Sequence, residues 1–311
     1  MINIIGKRYL YFIISLIVIV PGLIVLAVMA INGTLPLAID FTGGSLLELR
    51  FASAQPQPAE IIALYENLGV TDTKVQTTSE GSYVIRSSEL AEEVRTSVVD
   101  ALKNEFNSEV TVLRFESVGP TIGQEVTARA GLAIAIAVLI VTVYLTVAFR
   151  GVPHSIRYGI CAILAMLHDV LVVFSLVAIG SLLWGWQLDS LFLTALLTVI
   201  GFSVQDKVVV FDRIRENTGI FRRLPFETLV NHSIVQTLGR SINTQLMTVE
   251  FMLLALALFG GVTLREFAII LLVGLFSGTY SSIFVAAPVL VVWENREWRG
   301  WFRGGQKEAT A

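Results

Sequence analysis

The chain is poor in charged residues and in cysteine. Lysine, arginine, aspartate and glutamate make up 15% of its 311 residues, against roughly 25% in soluble proteins, which excludes an ordinary soluble enzyme. The formal net charge of −3 offers no basic surplus for a phosphate backbone, so we expect no nucleic-acid partner. The single cysteine, Cys161, cannot form an internal disulfide and lies in an apolar run, which indicates a small core residue.

Long apolar runs take the place of the missing charge. Hydrophobic residues make up 54% of the chain, and a bilayer core of roughly 30 Å needs about 20 of them in one helix. The stretches that reach this length are 9–31, 130–149, 157–183, 188–211, 236–259 and 266–293. The sequence therefore predicts an integral membrane, all-α bundle of six transmembrane helices, of which the fifth is the most polar.

The first apolar stretch has two explanations. It follows Lys7 and Arg8 and ends in small residues, as a cleaved signal peptide would. It is longer than the roughly 7 to 15 residues of a signal-peptide core, however, and this favours a retained membrane anchor.

Basic residues are distributed unequally between the connections. They occur before the first span and within 150–157, 212–235 and 294–311, whereas 181–187 and 260–264 contain none. Because basic residues remain on the cytoplasmic side, we predict that both termini are cytoplasmic. The arginines of the loop 212–235 either only set this topology and contact anionic lipid, or also bind the cytoplasmic loops of a channel.

This orientation divides the chain into four parts. Residues 1–31 form the cytoplasmic N-terminus and first helix, and 32–126 form an extracytoplasmic domain. Helices two to six occupy 127–293, with the cytoplasmic loop at about 212–235, and 294–311 is a cytoplasmic tail.

The extracytoplasmic segment has a pattern of its own. Alternation and helical spacing predict the elements in the order strand 45–51, helix 58–68, strand 73–78, strand 82–87, helix 89–106 and strand 110–118. The order βαββαβ is that of a ferredoxin-like α+β domain.

This predicted domain is acidic. Residues 40–125 include fourteen acidic and six basic side chains, a net charge of −8. The charge either serves solubility and topology alone or forms a surface that meets an emerging polypeptide. No catalytic triad or metal-ligand cluster is visible, so we expect no enzymatic activity, no cofactor and no metal ion.

Ionisable residues inside the predicted spans are the candidate functional residues, because each costs roughly 2.5 to 3.5 kcal/mol at a helix centre. In order along the chain, the polar residues of the third, fourth and fifth spans are His168, Asp169, Gln205, Asp206, Lys207, Arg240, Asn243, Gln245 and Glu250.

Asp206 and Arg240 reach a similar depth on adjacent helices. They form either a structural ion pair or a proton relay, since a desolvated carboxylate favours its protonated form and an approaching arginine favours the ionised form. Lys207 points about 100° away from Asp206 and is expected to snorkel to the cytoplasmic surface.

The other candidates also have two interpretations. His168 and Asp169 form either a second relay or a hydrogen-bonded pair that stabilises the third span. Glu250 lies about 15 Å along the helix from Arg240 and is structural or a further station on a hydrated path. Gly274 and Gly278 form a small-residue face, which predicts close helix packing.

Several motifs at ordered spacings resemble the SecF family. Asp40, Phe41, Thr42, Gly43 and Gly44 match its DFTGG motif. Further matches are Val118-Gly119-Pro120 with Gly123, the His168-Asp169 pair, residues 206–217 reading DKVVVFDRIREN, and residues 239–244 reading GRSINT.

The resemblance implies a SecF subunit, related to the RND group of proton-driven membrane proteins, in the bacterial inner membrane. It would act with SecD beside the SecYEG channel and its accessory subunits, after the SecA motor, and use the proton motive force to assist preprotein translocation. The family's carboxylate and arginine for proton coupling fall on Asp206 and Arg240. Gln205 and Lys207 stand where the family has Asn and Thr, and Glu250 stands where an apolar residue is expected.

Two other functions are compatible with the sequence. A proton-driven small-molecule exporter of the RND type would need a large apolar pocket, for which one domain of this size offers little room. A passive scaffold that stabilises the translocation channel would tolerate the substitution Asp206→Asn.

Overall fold

The structure is a computed structural model that describes residues 2–78, 81–150, 155–245, 251–259 and 262–297. In chain order its helices are α1 (Arg8–Ile31), α2 (Ile39–Thr42), α3 (Pro58–Asn67), α4 (Glu92–Phe106), α5 (Pro120–Ala148), α6 (Ser155–Trp184), α7 (Ser190–Ile220), α8 (Phe226–Gln245), α9 (Phe251–Phe259), α10 (Val262–Ser281) and α11 (Ala287–Glu294). Its strands are β1 (Gly44–Phe51), β2 (Lys74–Thr77), β3 (Tyr83–Ser87) and β4 (Val110–Val118).

Within the described residues, five helical segments are long and apolar enough to cross a membrane. They are Ile5–Ile31, Pro120–Ala148, Ser155–Trp184, Ser190–Ile220 and Leu264–Glu294. The chain is thus a helical membrane protein with a small sheet.

The predicted fifth span is not among these five segments. Its residues lie on α8 and α9, and the stretch 246–250 between them is outside the described residues. The part on α8 is rich in threonine, serine, asparagine and glutamine, and for this reason α8 is less apolar than the five segments above.

The chain separates into two compact units. One comprises residues 1–35, 134–186 and 191–311, and the other comprises residues 36–133 with 187–190. The first contains most of the long helices, and the second contains the sheet.

The sheet of the second unit is antiparallel, with the strand order β2-β3-β1-β4. Alternate residues of β1, including Leu47 and Leu49, are buried against the helices α3 and α4. α4 begins three residues later than the sequence predicted, because the Leu90 amide donates to Ser45 Oγ (2.8 Å) and the chain is still extended at Ala91.

Small residues allow close packing in the helical unit. A Cβ on Gly22 of α1 would lie 2.1 Å from Ser175 Oγ of α6, and this hydroxyl donates to the Val18 carbonyl (2.8 Å). On α10, a Cβ on Gly274 would lie 2.3 Å from Val199 Cγ2 of α7, and one on Gly278 would lie 3.3 Å from Ser203 Cα. The predicted packing role of the two α10 glycines is confirmed.

Polar contacts join the N-terminal segment to α8 and to the residues that follow α11. Arg8 donates two hydrogen bonds to Glu297 (2.7 and 3.1 Å) and one to Glu227 (3.0 Å). The side-chain oxygen of Asn231 accepts from the amides of Ile4 (2.8 Å) and Ile5 (3.2 Å). These bonds satisfy amides before α1 that have no partner within the helix.

Candidate functional site

Asp169 lies at the centre of a polar cluster inside the helical unit, and its side chain has no exposed surface. Its Oδ2 atom accepts hydrogen bonds from Ser203 Oγ (2.6 Å), Lys207 Nζ (2.7 Å) and Ser281 Oγ (2.7 Å). Its Oδ1 atom accepts from Ser277 Oγ (2.7 Å). Both carboxylate oxygens are therefore bonded, as a buried charge requires.

Lys207 is the positive partner of this carboxylate, and the prediction that it snorkels to the surface is wrong. It is fully buried, and its ammonium group donates to Asp169 Oδ2, to the Ser203 carbonyl (3.1 Å) and to Ser203 Oγ. These three acceptors match the three donors of an ammonium group. The lysine side chain stays buried because these acceptors supply the hydrogen bonds that water would otherwise supply at the membrane surface.

His168 extends the cluster towards α1. Its Nδ1 atom lies 3.1 Å from Asp169 Oδ1, and its Nε2 atom lies 2.9 Å from Ser15 Oγ. The ring stacks on Tyr280 of α10 at a centroid distance of 6.1 Å. The His168-Asp169 contact is thus a hydrogen-bonded pair that is connected to three helices.

Asp206 is also buried, with 7% of its surface exposed, on the same helix as Lys207. Its Oδ2 atom accepts a hydrogen bond from Thr279 Oγ1 of α10 (3.0 Å). Arg240 and Gln205 are exposed. No ion pair within 4 Å joins Asp206 to Arg240 in the part of the chain that the structure describes, and Glu250 lies outside that part.

The serines and the threonine around the two carboxylates were missed by the sequence reasoning. Ser203 and Lys207 are four residues apart on α7, and Ser277 and Ser281 are four residues apart on α10, so each pair shares one helix face. That spacing was available as a signal, but hydroxyls are common in helices and their meaning depends on what they face.

The motif DKVVVFDRIREN holds α8 against the end of α7. Asn217 Nδ2 donates to Ser233 Oγ (2.8 Å) and to Gln236 Oε1 (2.9 Å), and Arg213 Nε donates to the same Gln236 oxygen (2.8 Å). The conspicuous residues of the motif therefore position α8, the helix that carries Arg240.

The DFTGG motif lies in the sheet-containing unit. Asp40 Oδ2 accepts from the Ser190 amide (2.8 Å) and from its hydroxyl (2.5 Å). Gly43 and Gly44 have φ angles of 74° and 116°, which glycine adopts readily. A Cβ on Gly43 would lie 2.8 Å from Pro120 Cα, and one on Gly123 would lie 2.6 Å from the Gly43 nitrogen. The two glycine-containing motifs are therefore in direct backbone contact.

The chain matches two protein families. Residues 98–296 match the family described as protein export membrane protein SecD/SecF, C-terminal, and residues 33–55 match the SecD/SecF GG motif. The second match contains Asp40 and the glycine pair Gly43 and Gly44.

Curated relatives carry corresponding names. The chain is 67% identical to the protein translocase subunit SecF of Anaerolinea thermophila and 44% identical to that of Thermobaculum terrenum, each over the full length of both chains. It is 36% identical to the protein translocase subunit SecDF of Thermus thermophilus, over 83% of this chain and 34% of that one.

A solved structure has the same arrangement over most of the chain. The crystal structure of SecDF from Thermus thermophilus, described as a translocon-associated membrane protein, superposes with a TM-score of 0.79 at 32% identity. The match covers 95% of this chain and 39% of the SecDF chain.

Proposed function

Because this chain belongs to the SecD/SecF family of protein-export membrane proteins, we propose that it is a SecF-type translocase subunit that uses the proton motive force to assist preprotein translocation. It acts together with SecD, beside the SecYEG channel and after the SecA motor. It lies in the bacterial inner membrane with both termini in the cytoplasm and six transmembrane helices, the fifth formed by parts of α8 and α9.

The sheet-containing unit supports the outer-domain part of the proposal. Its strands and main helices follow one another as βαββαβ, and its antiparallel sheet has the order β2-β3-β1-β4. This combination is characteristic of a ferredoxin-like domain. The domain is the extracytoplasmic part that meets the translocating polypeptide.

The observation that carries the proton-coupling proposal is the burial of Asp206 on a membrane-spanning helix. A carboxylate at such a place is expensive to keep charged, so it is a candidate for binding and releasing a proton. Arg240 supplies the positive charge that approaches when the proton leaves. Each proton that moves inward provides about 2.3 kcal/mol of free energy per 100 mV of membrane potential. Helix motion transmits this free energy to the outer domain.

A longer relative supports the proposal that SecD is the partner of this chain. In the Thermus thermophilus SecDF chain, the region similar to this chain is about a third of the whole. Within the helical unit, apolar residues of α5 such as Leu139 and Ile140 are each 62% exposed. Apolar faces of this kind need lipid or further helices, and SecD would supply helices of related type.

The proposal is tested by measuring preprotein export with Asp206→Asn and Arg240→Met, each with SecD, in cells lacking the native pair. We expect both variants to assemble with SecD and to lose the part of export that a protonophore abolishes. Asp212→Asn is the matched control, since Asp212 is an exposed carboxylate on the same helix. Normal gradient-dependent export by an assembled Asp206→Asn variant would leave only a scaffold role.

A further inference from the structure

Three hydroxyl residues of α10 connect the two buried carboxylates. Ser277 and Ser281 both donate to Asp169, at 2.7 Å each, and Thr279 donates to Asp206 at 3.0 Å. Because a helix turns about 100° per residue, Thr279 lies on the opposite side of α10 from the two serines. We call these three residues the hydroxyl row. A rotation of α10 changes the bonds to both carboxylates together.

The Asp169 side is the firmer attachment of α10. Asp169, Lys207 and Ser281 have no exposed surface, and Ser277 is 5% exposed. Hydrogen bonds to an ionised carboxylate are roughly twice as strong as those between neutral groups. The two bonds from Ser277 and Ser281 therefore fix the rotation of α10 for as long as Asp169 remains an anion.

Lys207 is what keeps Asp169 an anion. It is the cation within 4 Å of this carboxylate in the described residues, apart from the titratable ring of His168. Without Lys207, the buried carboxylate would have no fixed counter-charge and would take up a proton. A protonated carboxyl group is itself a donor, so one of the serine hydroxyls that now donate to it would have to turn away.

We infer that Lys207 is a positioning residue for proton coupling at Asp206, acting through Asp169 and the hydroxyl row to hold Thr279 against the Asp206 carboxylate. The inference rests on the function proposed above. It also gives Asp169 the role of a fixed anchor, where the sequence left open whether this residue is a second proton station.

A wide helical turn follows the hydroxyl row directly. Residues Ser282–Ala286 form a π-helical segment between α10 and α11, and Ser282 Oγ donates to the Thr279 carbonyl (2.9 Å). Such turns contain an extra residue and are frequent at functional sites. This turn lets α10 rotate without requiring the same rotation of α11. The hydrogen bonds that Asp169 accepts from α10 therefore determine whether α10 rotates.

The test uses pH as a readout, so all neighbouring charges matter. The titratable or charged side chains that the described helices bring to this part of the unit include Tyr11 on α1, His168 and Asp169 on α6, Asp206 and Lys207 on α7, Arg240 on α8 and Tyr280 on α10. All of them except the substituted ones stay in place in every variant below.

The experiment compares Lys207→Met, the double variant Lys207→Met/Asp169→Asn and Thr279→Val, each as the full chain with SecD. For each, SecD co-purification and the pH profile of protonophore-sensitive export are measured in membrane vesicles. We expect Lys207→Met and Thr279→Val to shift the profile in the same direction. We expect the double variant to shift the profile in that direction too, because Ser277 and Ser281 donate to different oxygens of Asp169 and an amide offers one oxygen as acceptor while its nitrogen donates.

Two results would overturn the inference. One is a wild-type pH profile for Thr279→Val. The other is a double variant that assembles with SecD and keeps the wild-type profile, which would mean that Asp169 need not be an anion for Thr279 to be held. If Lys207→Met alone fails to assemble with SecD, the results for Thr279→Val and for the double variant still decide whether the inference holds. Asp206→Asn is run in parallel, and its retention of gradient-dependent export would instead refute the proposed function.

Discussion

Lys207 Nζ lies 2.7 Å from Asp169 Oδ2, and neither side chain has any exposed surface. The pair joins α6 to α7, and bulk water reaches neither side chain. Its geometry explains why a lysine is tolerated in a predicted membrane span, since the whole ammonium group is bonded.

The first prediction concerns the stability of this pair. Lys207→Met should lower the free energy of unfolding of the detergent-solubilised chain by about 3–5 kcal/mol, because the buried Asp169 loses its partner and must take up a proton to become neutral. The double variant Lys207→Met/Asp169→Asn should lose clearly less, since neutral residues of similar volume replace both charges. Thermal unfolding measures both. Equal losses in the single and double variants would mean that packing, and not charge, is what Lys207 contributes.

The carboxylates of this site could be predicted from the sequence, but the partner of Asp169 could not. A charge in an apolar run is visible along one chain segment, and for this reason Asp169 and Asp206 were identified. The direction of Lys207 depends on what three helices place around it, and no spacing within α7 contains that information. A buried charge is therefore visible in the periodicity of one segment, whereas its contacts are not.

The same limit appears in the sheet-containing unit. The alternation of Leu47 and Leu49 predicts β1, because a half-buried strand repeats every two residues. The beginning of α4 was misplaced because the hydroxyl of Ser45, far away in sequence, holds the Leu90 amide. Local periodicity thus locates the elements, whereas long-range polar contacts set where some of them begin.

The second prediction compares two buried tyrosines of that unit. Tyr83 donates its hydroxyl to the Pro56 carbonyl (3.0 Å), whereas the Tyr65 hydroxyl has no hydrogen-bond partner among the described residues. Tyr83→Phe should therefore cost about 1 kcal/mol, and Tyr65→Phe should leave stability unchanged or raise it. Thermal unfolding of the full chain measures the difference, and a larger loss for Tyr65→Phe would contradict this account.

Alkaline pH provides an independent check on Tyr65. Burial raises the pKa of the Tyr65 hydroxyl well above its usual value of 10. The stability that follows from this shift is complete below pH 10 and is lost as the pH rises towards the raised pKa. Tyr65→Phe should therefore make the chain less sensitive to alkaline unfolding, which parallel titrations of the two chains would show.

The third prediction concerns Glu297, which binds the N-terminal segment. Burial raises the pKa of this carboxyl, but hydrogen bonds from Tyr9, Arg8 and Asn295 and the charge of Arg8 outweigh it, so the pKa lies below the usual 4.5. Its stabilising effect is complete above pH 4.5 and is lost as the pH falls through the lowered pKa.

The measurement compares wild type with Glu297→Gln. We expect the variant to be less stable by about 1 kcal/mol at neutral pH, and the difference to vanish on acidification. Glu109→Gln is the control, because the Glu109 side chain is 84% exposed and its ion pair with Lys103 is long, at 3.8 Å. A difference for Glu297→Gln that persists unchanged in acid would rule out the ionised pair as its cause.

The fourth prediction separates two reasons for a glycine in the DFTGG motif. Gly43 and Gly69 have nearly the same φ angle, 74° and 75°, but only at Gly43 would a Cβ meet backbone, 2.8 Å from Pro120 Cα. Gly69→Ala should cost about 1–2 kcal/mol for the left-handed conformation alone. Gly43→Ala should cost a further 1–3 kcal/mol or so beyond that amount, because its ψ of 174° lies outside the left-handed region and because the segments of the two motifs must move apart. Thermal unfolding of the two variants gives this difference directly, and equal losses would mean that conformation, rather than the contact with Pro120, requires the glycine.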